Sequence, residues 1–433
     1  MEVRPRAVTS GAPHSEHTVR MDNRGVETVS PCMFCRAPLH YTFVDLGMSP
    51  LCESYVPAEK LNQMEPFYPL HVYVCERCFL VQLEEYVSPA EIFTEYAYFA
   101  SYAESWVEHM RRYAEAITDQ LRLGPHSFVV EVASNDGYLL QHFVKKGIPV
   151  LGIEPAANVA EVARRKGIET LVRFFGAAMA KELPAADLLL GNNVLAHVPD
   201  INDFVEGMRV VLKPGGTITM ELPHLMRLMQ GNQFDTIYHE HFSYLSLLTV
   251  RRIFATHGLT VFDVEELATH GGSLRVYARH VADESKPITH RLRALRQREI
   301  DGGIARLETY ASFGERVKET KRKLLAFLIA AKRSGKTIAG YGAPGKGNTL
   351  LNYCGIRTDF IDFTVDRNEY KQGKFLPGTH IPIHDPDRIR EAKPDYVLVL
   401  PWNFKDEIMK QMSYIRDWGG KFVIPIPEVR VVE

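Results

Sequence analysis

Two short cysteine pairs, Cys32-Met33-Phe34-Cys35 and Cys75-Glu76-Arg77-Cys78, stand just upstream of an apolar run and glycine turn, Val129-Val130-Glu131-Val132-Ala133-Ser134-Asn135-Asp136-Gly137. Each CxxC sets two thiolates on one tight knuckle. Two knuckles complete the tetrahedral four-sulfur shell that zinc prefers in closed, structural sites. Cys32, Cys35, Cys75 and Cys78 are therefore the expected metal ligands, and zinc the expected ion. The surrounding segment, 31–89, holds short β-type runs such as Tyr41-Thr42-Phe43-Val44 and His71-Val72-Tyr73-Val74 between Pro and Gly turns. A piece of that size needs a staple to fold, which places the metal in a structural role and the chemistry downstream.

The chain of 433 residues exceeds what one hydrophobic core serves, and three domains are expected. A formal charge of −2 gives no electrostatic footprint for a nucleic-acid backbone, so nucleic-acid substrates are disfavoured. Apolar runs are too short for a membrane span. Residues 1–30 are polar, carry Arg4, Arg6, Arg20 and Arg24, and lack the apolar stretch of a secretory signal. They read as a disordered tail. Paired CxxC motifs fit a reducing compartment, so the expected location is cytoplasmic, with Cys52 and Cys354 as plain thiols.

Past Gly124-Pro125 the pattern alternates: strands over 128–133, 150–153, 186–190 and 218–221, helices over 138–146 and 159–166. This predicts a doubly wound α/β domain with a parallel sheet over 90–285. A charged helical stretch, 286–333, opens a last domain, 286–433. Its strands at 337–341, 363–366 and 396–400 repeat the same order, with an acid closing the second strand in both halves, Glu154 and Asp366. The fold class is thus α/β, with a small N-terminal zinc module and two Rossmann-like domains.

A glycine turn after the first strand lets backbone amides approach a ligand, and an acid ending the second can hold both ribose hydroxyls. Glu131 and Glu154 are 23 positions apart, which suits this arrangement. The turn lacks GxGxxG, which leaves little room for a dinucleotide pyrophosphate. A single nucleoside without phosphate fits better, and S-adenosylmethionine is the common ligand of that kind. Lys213-Pro214-Gly215-Gly216, between a helix and a strand, resembles the late turn of class I methyltransferases. The expected cofactor residues are Glu131, Ser134, Asn135, Gly137, Glu154, Pro155, Asn192 and Asn193.

The segments 131–140, 152–156, 192–198, Tyr238-His239-Glu240-His241-Phe242-Ser243-Tyr244 and 340–348 resemble those of the sugar C-methyltransferases of deoxysugar biosynthesis, the type acting on dTDP-4-keto sugars in antibiotic pathways. The resemblance runs from about Pro31 to the C-terminus. It implies a three-domain monomer with a zinc module, a methyl-donor domain and a C-terminal Rossmann-like domain that helps enclose a dTDP-linked keto-deoxysugar.

Methylation on carbon needs a carbon nucleophile, and a ketone makes the neighbouring hydrogen acidic enough to provide one. The expected reaction is methyl transfer to carbon 3 through an enolate; carbon 5 obeys the same logic. His241 is the expected base, since neutral imidazole is matched to pH 7, with His239 as the alternative. Glu240 would orient neighbouring groups and Tyr238 would donate to the keto or enolate oxygen. By resemblance, Tyr98 and His197 complete the pocket. The spacing of His239 and His241 reads as one face of a strand. Gly340-x-Gly342-x-x-Gly345 satisfies a dinucleotide fingerprint, which alone would argue for a nicotinamide cofactor. The family resemblance instead assigns Lys346 and Asn348, with Tyr341, to the sugar-nucleotide substrate. A zinc-module RNA methyltransferase is the remaining alternative from another class.

Overall fold

Both cysteine knuckles fold the same way. The N–H of the residue four after the first cysteine bonds back to that cysteine's carbonyl, Arg36 to Cys32 at 3.0 Å and Phe79 to Cys75 at 2.9 Å. Arg36 and Phe79 both take positive φ, 61° and 62°, which closes each turn around its two sulfurs. Between and just after the knuckles, β-branched and aromatic runs form an antiparallel sheet of Tyr41–Ser49, Tyr68–Val74 and Val81–Leu83. Its fourth strand comes from far along the chain: Ser243–Tyr244 pairs with Val81–Leu83.

The computed structural model describes residues 20–21, 27–93 and 99–433. The expected tail, 1–30, falls mostly outside the described residues; within it Arg20–Met21 and Glu27–Thr28 form a short antiparallel ladder.

Seven strands make the central sheet, in the order Leu259–Leu267, Ser273–His280, Leu212–Pro223, Ala186–Asn192, Val129–Val132, Val150–Ile153, Thr170–Leu171. The last five are mutually parallel, as expected, and the first two form an antiparallel hairpin at one edge. The sequence reading missed that hairpin. Only residues 268–272 join its strands, and so short a link cannot make the crossover that a parallel pair requires. Lys213-Pro214-Gly215-Gly216 is an irregular stretch inside the strand Leu212–Pro223, with the register shifting there and Gly215 at φ 79°.

The charged stretch after 286 is helical but interrupted at Gly302 and Gly303, giving His290–Asp301, Leu307–Ala311 and Phe313–Arg333. The C-terminal sheet runs Ile383–His384, Thr364–Val365, Ile338–Tyr341, Tyr396–Val399, Lys421–Ile424, Arg430–Val432, with only the last pair antiparallel.

The zinc module is wedged between the two larger units. Phe43 stacks on Phe313 at 4.5 Å and meets Tyr310 edge-on at 6.0 Å, while the knuckle side, with Leu39 and Leu80, joins the core of the central sheet. Each such buried aromatic stabilises the contact by roughly 1.5–3 kcal/mol. Among the described residues, no helix is long and apolar enough to cross a membrane.

Candidate active site and metal centre

The four cysteine sulfurs lie within 4.8 Å of one another. Cys32 and Cys78 stand 3.5 Å apart, as do Cys35 and Cys75. Bonds of ~2.3 Å to a tetrahedral zinc would set neighbouring sulfurs roughly 3.8 Å apart, so the cluster has the size of a zinc shell and not of disulfides. Gln82 donates to Cys32 Sγ at 3.2 Å and is itself held by the Met33 N–H at 2.7 Å, an outer contact that fixes one ligand. Hydrogen bonds from Cys75 and Cys78 hold the Cys32 thiol far below its ordinary range, toward the thiolate that a metal binds.

A cavity of ≈ 360 Å³ opens over the C-terminal ends of the central strands and reaches the start of the C-terminal unit. Its floor is the loop after Val129–Val132, where Ala133, Asn135 and Gly137 take φ of 56°, 49° and 76°. At Gly137 the left-handed conformation favours glycine, and an added Cβ would also have to displace the tip of Ile168, 2.3 Å away. Glu154 ends the second strand. Its Oε2 accepts the Asn135 N–H and its Oε1 the Ala156 N–H, each at 2.9 Å. These bonds fix the carboxylate plane and leave lone pairs for a vicinal diol, while burial raises the pKa. Asn193, just after the strand Ala186–Asn192, also lines the cavity, with its Oδ1 buried and unpartnered.

The opposite half of the cavity is built on a tight turn. The His241 N–H bonds to the Tyr238 carbonyl at 2.9 Å, which brings the two rings to 4.1 Å and leaves His239 and Glu240 at the corners. The Thr236 carbonyl lies 2.9 Å from His241 Nδ1. A carbonyl can only accept, so Nδ1 carries the proton and Nε2 keeps its lone pair. Burial drives the His241 pKa well below 6.5, helped by neighbouring His197, whose ring is 4.8 Å away and whose own pKa burial lowers to about 4. Burial raises the Tyr238 hydroxyl well above its ordinary value, which keeps it a donor. The arrangement is a neutral imidazole base and a phenol donor facing one enclosed space.

Three family descriptions cover nearly the whole chain: a zinc binding domain over 32–93, a methyltransferase domain over 106–264 and a C-methyltransferase C-terminal domain over 268–427. The chain is 38% identical over 416 residues to C-methyltransferase NovU of Streptomyces niveus, a match spanning 94% of this chain and 98% of that protein. The chain belongs to the C-methyltransferase family. It is 30% identical over 93 residues to a ubiquinone biosynthesis O-methyltransferase of Chelativorans sp., 20% of this chain and 37% of that one. A solved S-adenosylmethionine-dependent methyltransferase from Clostridium acetobutylicum aligns with a TM-score of 0.34 and 11% identity, over 40% of this chain and 92% of that chain.

This C-methyltransferase therefore uses S-adenosylmethionine and carries a structural zinc. Of the expected cofactor residues, Asn135, Glu154, Pro155, Asn192 and Asn193 line the cavity. Glu131, Ser134 and Gly137 lie behind that wall. Glu131 is fully buried and touches Asn192 Nδ2 at 3.5 Å, so it braces a lining residue. Tyr238, Glu240, His241 and His197 all face the cavity, and Tyr98 lies outside the described residues. The strand-face reading of His239 and His241 is corrected by the turn, which sends His239 the other way. Its Nε2 meets the Pro69 carbonyl at 3.2 Å and its ring packs edge-on against Tyr68.

Lys346 reaches the cavity wall, 2.8 Å from Asn403 Oδ1 and 4.9 Å above the Trp402 ring. Burial lowers its pKa against the pull of Asp235, which burial pushes up to about 6. Asn348 and Tyr341 are not brought to the cavity. Asn348 donates to the Cys52 carbonyl at 2.5 Å, and Tyr341 sits in the C-terminal core. Asp366, placed by sequence at a ribose-binding position, accepts the N–H groups of Ala343 and Asn368 at 2.7 and 2.8 Å. Sequence reasoning missed Trp106, Tyr138, His224 and His270, which also line the cavity. His224 was findable, since it follows directly on the C-terminal end of a parallel strand, where α/β domains place ligand contacts.

Proposed function

We propose that this enzyme methylates carbon 3 of a dTDP-linked 4-keto-deoxysugar through an enolate. The observation that carries the reading is the Tyr238–His241 turn, which aims an acceptor nitrogen into the same cavity that Glu154 borders. His241 Nε2 takes the hydrogen from the carbon beside the ketone, and the electron pair moves onto the keto oxygen. Tyr238 donates to that oxygen as its charge grows, and the Lys346 ammonium adds positive potential to the same space. S-adenosylmethionine supplies the electrophilic methyl that the enolate carbon captures. Glu240 and His197 frame the base. The sugar's nucleotide lies toward the C-terminal unit, with Lys346 as its nearest cation.

In support stands the relative that is a C-methyltransferase along nearly its full length. We assign 31–89, 90–285 and 286–433 as the three domains of a cytoplasmic monomer serving deoxysugar and antibiotic biosynthesis. The test is mass spectrometry with isotope-labelled methyl donor on a panel of dTDP-4-keto sugars, with the methylated carbon located by NMR. Label at carbon 5 would correct the regiochemistry, and no transfer to any member would sink the reading.

Glu154→Gln is expected to weaken cofactor binding roughly 10- to 150-fold, because one charge-assisted hydrogen bond is worth roughly 1.5–3 kcal/mol. Calorimetric titration with S-adenosylhomocysteine checks it, and an unchanged Kd would remove Glu154 from the cofactor site.

The buried histidines set the pH response. Their folded pKa values lie below 6.5 at His197, His241 and His270, with burial the leading cause at each, so the unfolded chain binds more protons across the window from about 4 to 6.5. The stabilising difference is present above 6.5 and is lost as pH falls through that window. Tm should drop on acidification there. The rate should be flat near pH 7 and fall only on the acid side, where His241 takes up a proton. An acid limb centred above pH 7 would contradict a depressed His241.

A further inference from the structure

The C-terminal unit carries the glycine turn and helix start of a nucleotide-binding domain, but its anion position is already filled. The ten-residue helix Gly345–Cys354 begins at that turn, and helix N-termini of this kind hold phosphate through backbone N–H groups. Here the Gly345 N–H donates to Glu53 Oε1 at 3.1 Å. The Tyr55 hydroxyl lies 2.8 Å from Glu53 Oε2, its single proton shared between that oxygen and the turn, and Lys371 Nζ stands 3.7 Å from the same oxygen. Tyr55 and Lys371 also reach the Ala343 carbonyl in the turn itself, at 2.6 and 2.9 Å. An amide, a phenol and an ammonium thus converge on one carboxylate from the zinc module.

The fit is close. A Cβ at position 345 would stand 2.8 Å from Cys52 Sγ and 3.2 Å from Glu53 Oε1, so glycine serves here to admit the module and not a dinucleotide. The same segment is tied at other points. Asn348 bonds the Cys52 carbonyl, Val56–Pro57 pairs with Lys374–Phe375, and the Cys52 thiol lies 3.7 Å from Glu240 Oε1 in the cavity. Lys346 is the next residue after Gly345.

We propose that Glu53 is a positioning residue that stands in for a ligand phosphate: its carboxylate fills the amide cradle of the C-terminal unit and thereby fixes Cys52, Glu240 and Lys346 around the cavity. The domain's ancestral-looking nucleotide turn is an internal clamp, and a nicotinamide cofactor has no place in it. The turnover arm of the test rests on the proposed reaction; the binding arm does not.

Glu53→Gly, made in the full-length zinc-loaded chain, vacates the cradle. Its Tm should fall and should be partly restored by acetate or inorganic phosphate, relative to chloride at equal ionic strength, with no such restoration in the unaltered protein. Methyl transfer should fall about tenfold in kcat, as for loss of one charge-assisted bond, and recover in part with the same anions. Zinc content and S-adenosylhomocysteine affinity should stay constant. A Tm unresponsive to either anion overturns the proposal. Should the glycine variant be insoluble, Glu53→Gln keeps the shape without the charge; a Tm about 2 °C lower supports the clamp, and an unchanged Tm overturns it. If anions restore Tm while the unaltered enzyme methylates no keto sugar, the proposed reaction fails and the clamp stands.

Discussion

Replacing His241 by asparagine is expected to lower methyl-transfer turnover by about 10²–10⁴-fold, the usual worth of a positioned general base. Asparagine keeps a donor for the Thr236 carbonyl and much of the ring's volume, but it offers no basic nitrogen in place of Nε2. S-adenosylhomocysteine affinity should therefore persist, because the Glu154 half of the cavity is built on different strands. His239→Asn is the matched control. Its imidazole contacts Pro69 and Tyr68 away from the cavity, so it should cost stability and little turnover. Tyr238→Phe removes the donor to the growing oxyanion and should slow chemistry with KM little changed. Solvent deuterium exchange into carbon 3, measured with S-adenosylhomocysteine in place of the methyl donor, isolates proton removal: the asparagine variant should lose exchange together with turnover. Were His239→Asn the slow variant and His241→Asn the fast one, the assignment of the base would be reversed.

The asymmetry between His239 and His241 also shows what the sequence could and could not reveal. The Tyr-His-Glu-His string drew attention to a loop that lines the cavity, since two imidazoles, a phenol and a carboxylate have little reason to cluster in a core. It could not say which histidine faces inward, because that depends on whether the backbone runs straight or turns, and the Tyr238-to-His241 hydrogen bond decides it. Local patterns served well where they dictate geometry at short range. The cysteine knuckles, the strand over 128–133 and the acid at Glu154 needed only neighbours a few residues away. What escaped the sequence is what distant segments do to one another. Asn348 and Gly345 look like a phosphate turn until the zinc module's Cys52 and Glu53 arrive from nearly three hundred residues upstream. Glu131, read as a cofactor ligand from its 23-position interval to Glu154, is sealed beneath Asn192. The antiparallel edge hairpin is marked by the short link between its strands, whose charged residues set them apart from the apolar parallel runs.

Removal of the metal is the second large effect, and it should strike the active site from a distance. Structural zinc in a four-cysteine shell contributes on the order of 10–16 kcal/mol of apparent folding free energy to a small module, comparable to the whole net stability of a domain, about 5–15 kcal/mol. Without it the two knuckles have no reason to converge, and the sheet that ends in Val81–Leu83 loses its anchor. That strand pairs with Ser243–Tyr244, which directly follows the Tyr238–His241 turn, and the Leu83 N–H also bonds the Phe242 carbonyl at 3.0 Å. The Tyr238–His241 turn is thus held from one side by zinc-module backbone, and from the other by the Phe242 N–H on the Ala196 carbonyl beside His197. Cys75→Ser, or treatment with a strong chelator, should therefore abolish turnover in step with zinc loss measured by elemental analysis, while the parallel core of the central sheet keeps its far-ultraviolet dichroism. Cofactor affinity should fall far less than kcat, since the Glu154 carboxylate is fixed by the Asn135 and Ala156 N–H groups of the central domain itself. A zinc-free preparation that turned over at the full rate would show that the pairing of Ser243–Tyr244 survives without the metal, and would leave the knuckles with no part in holding the base.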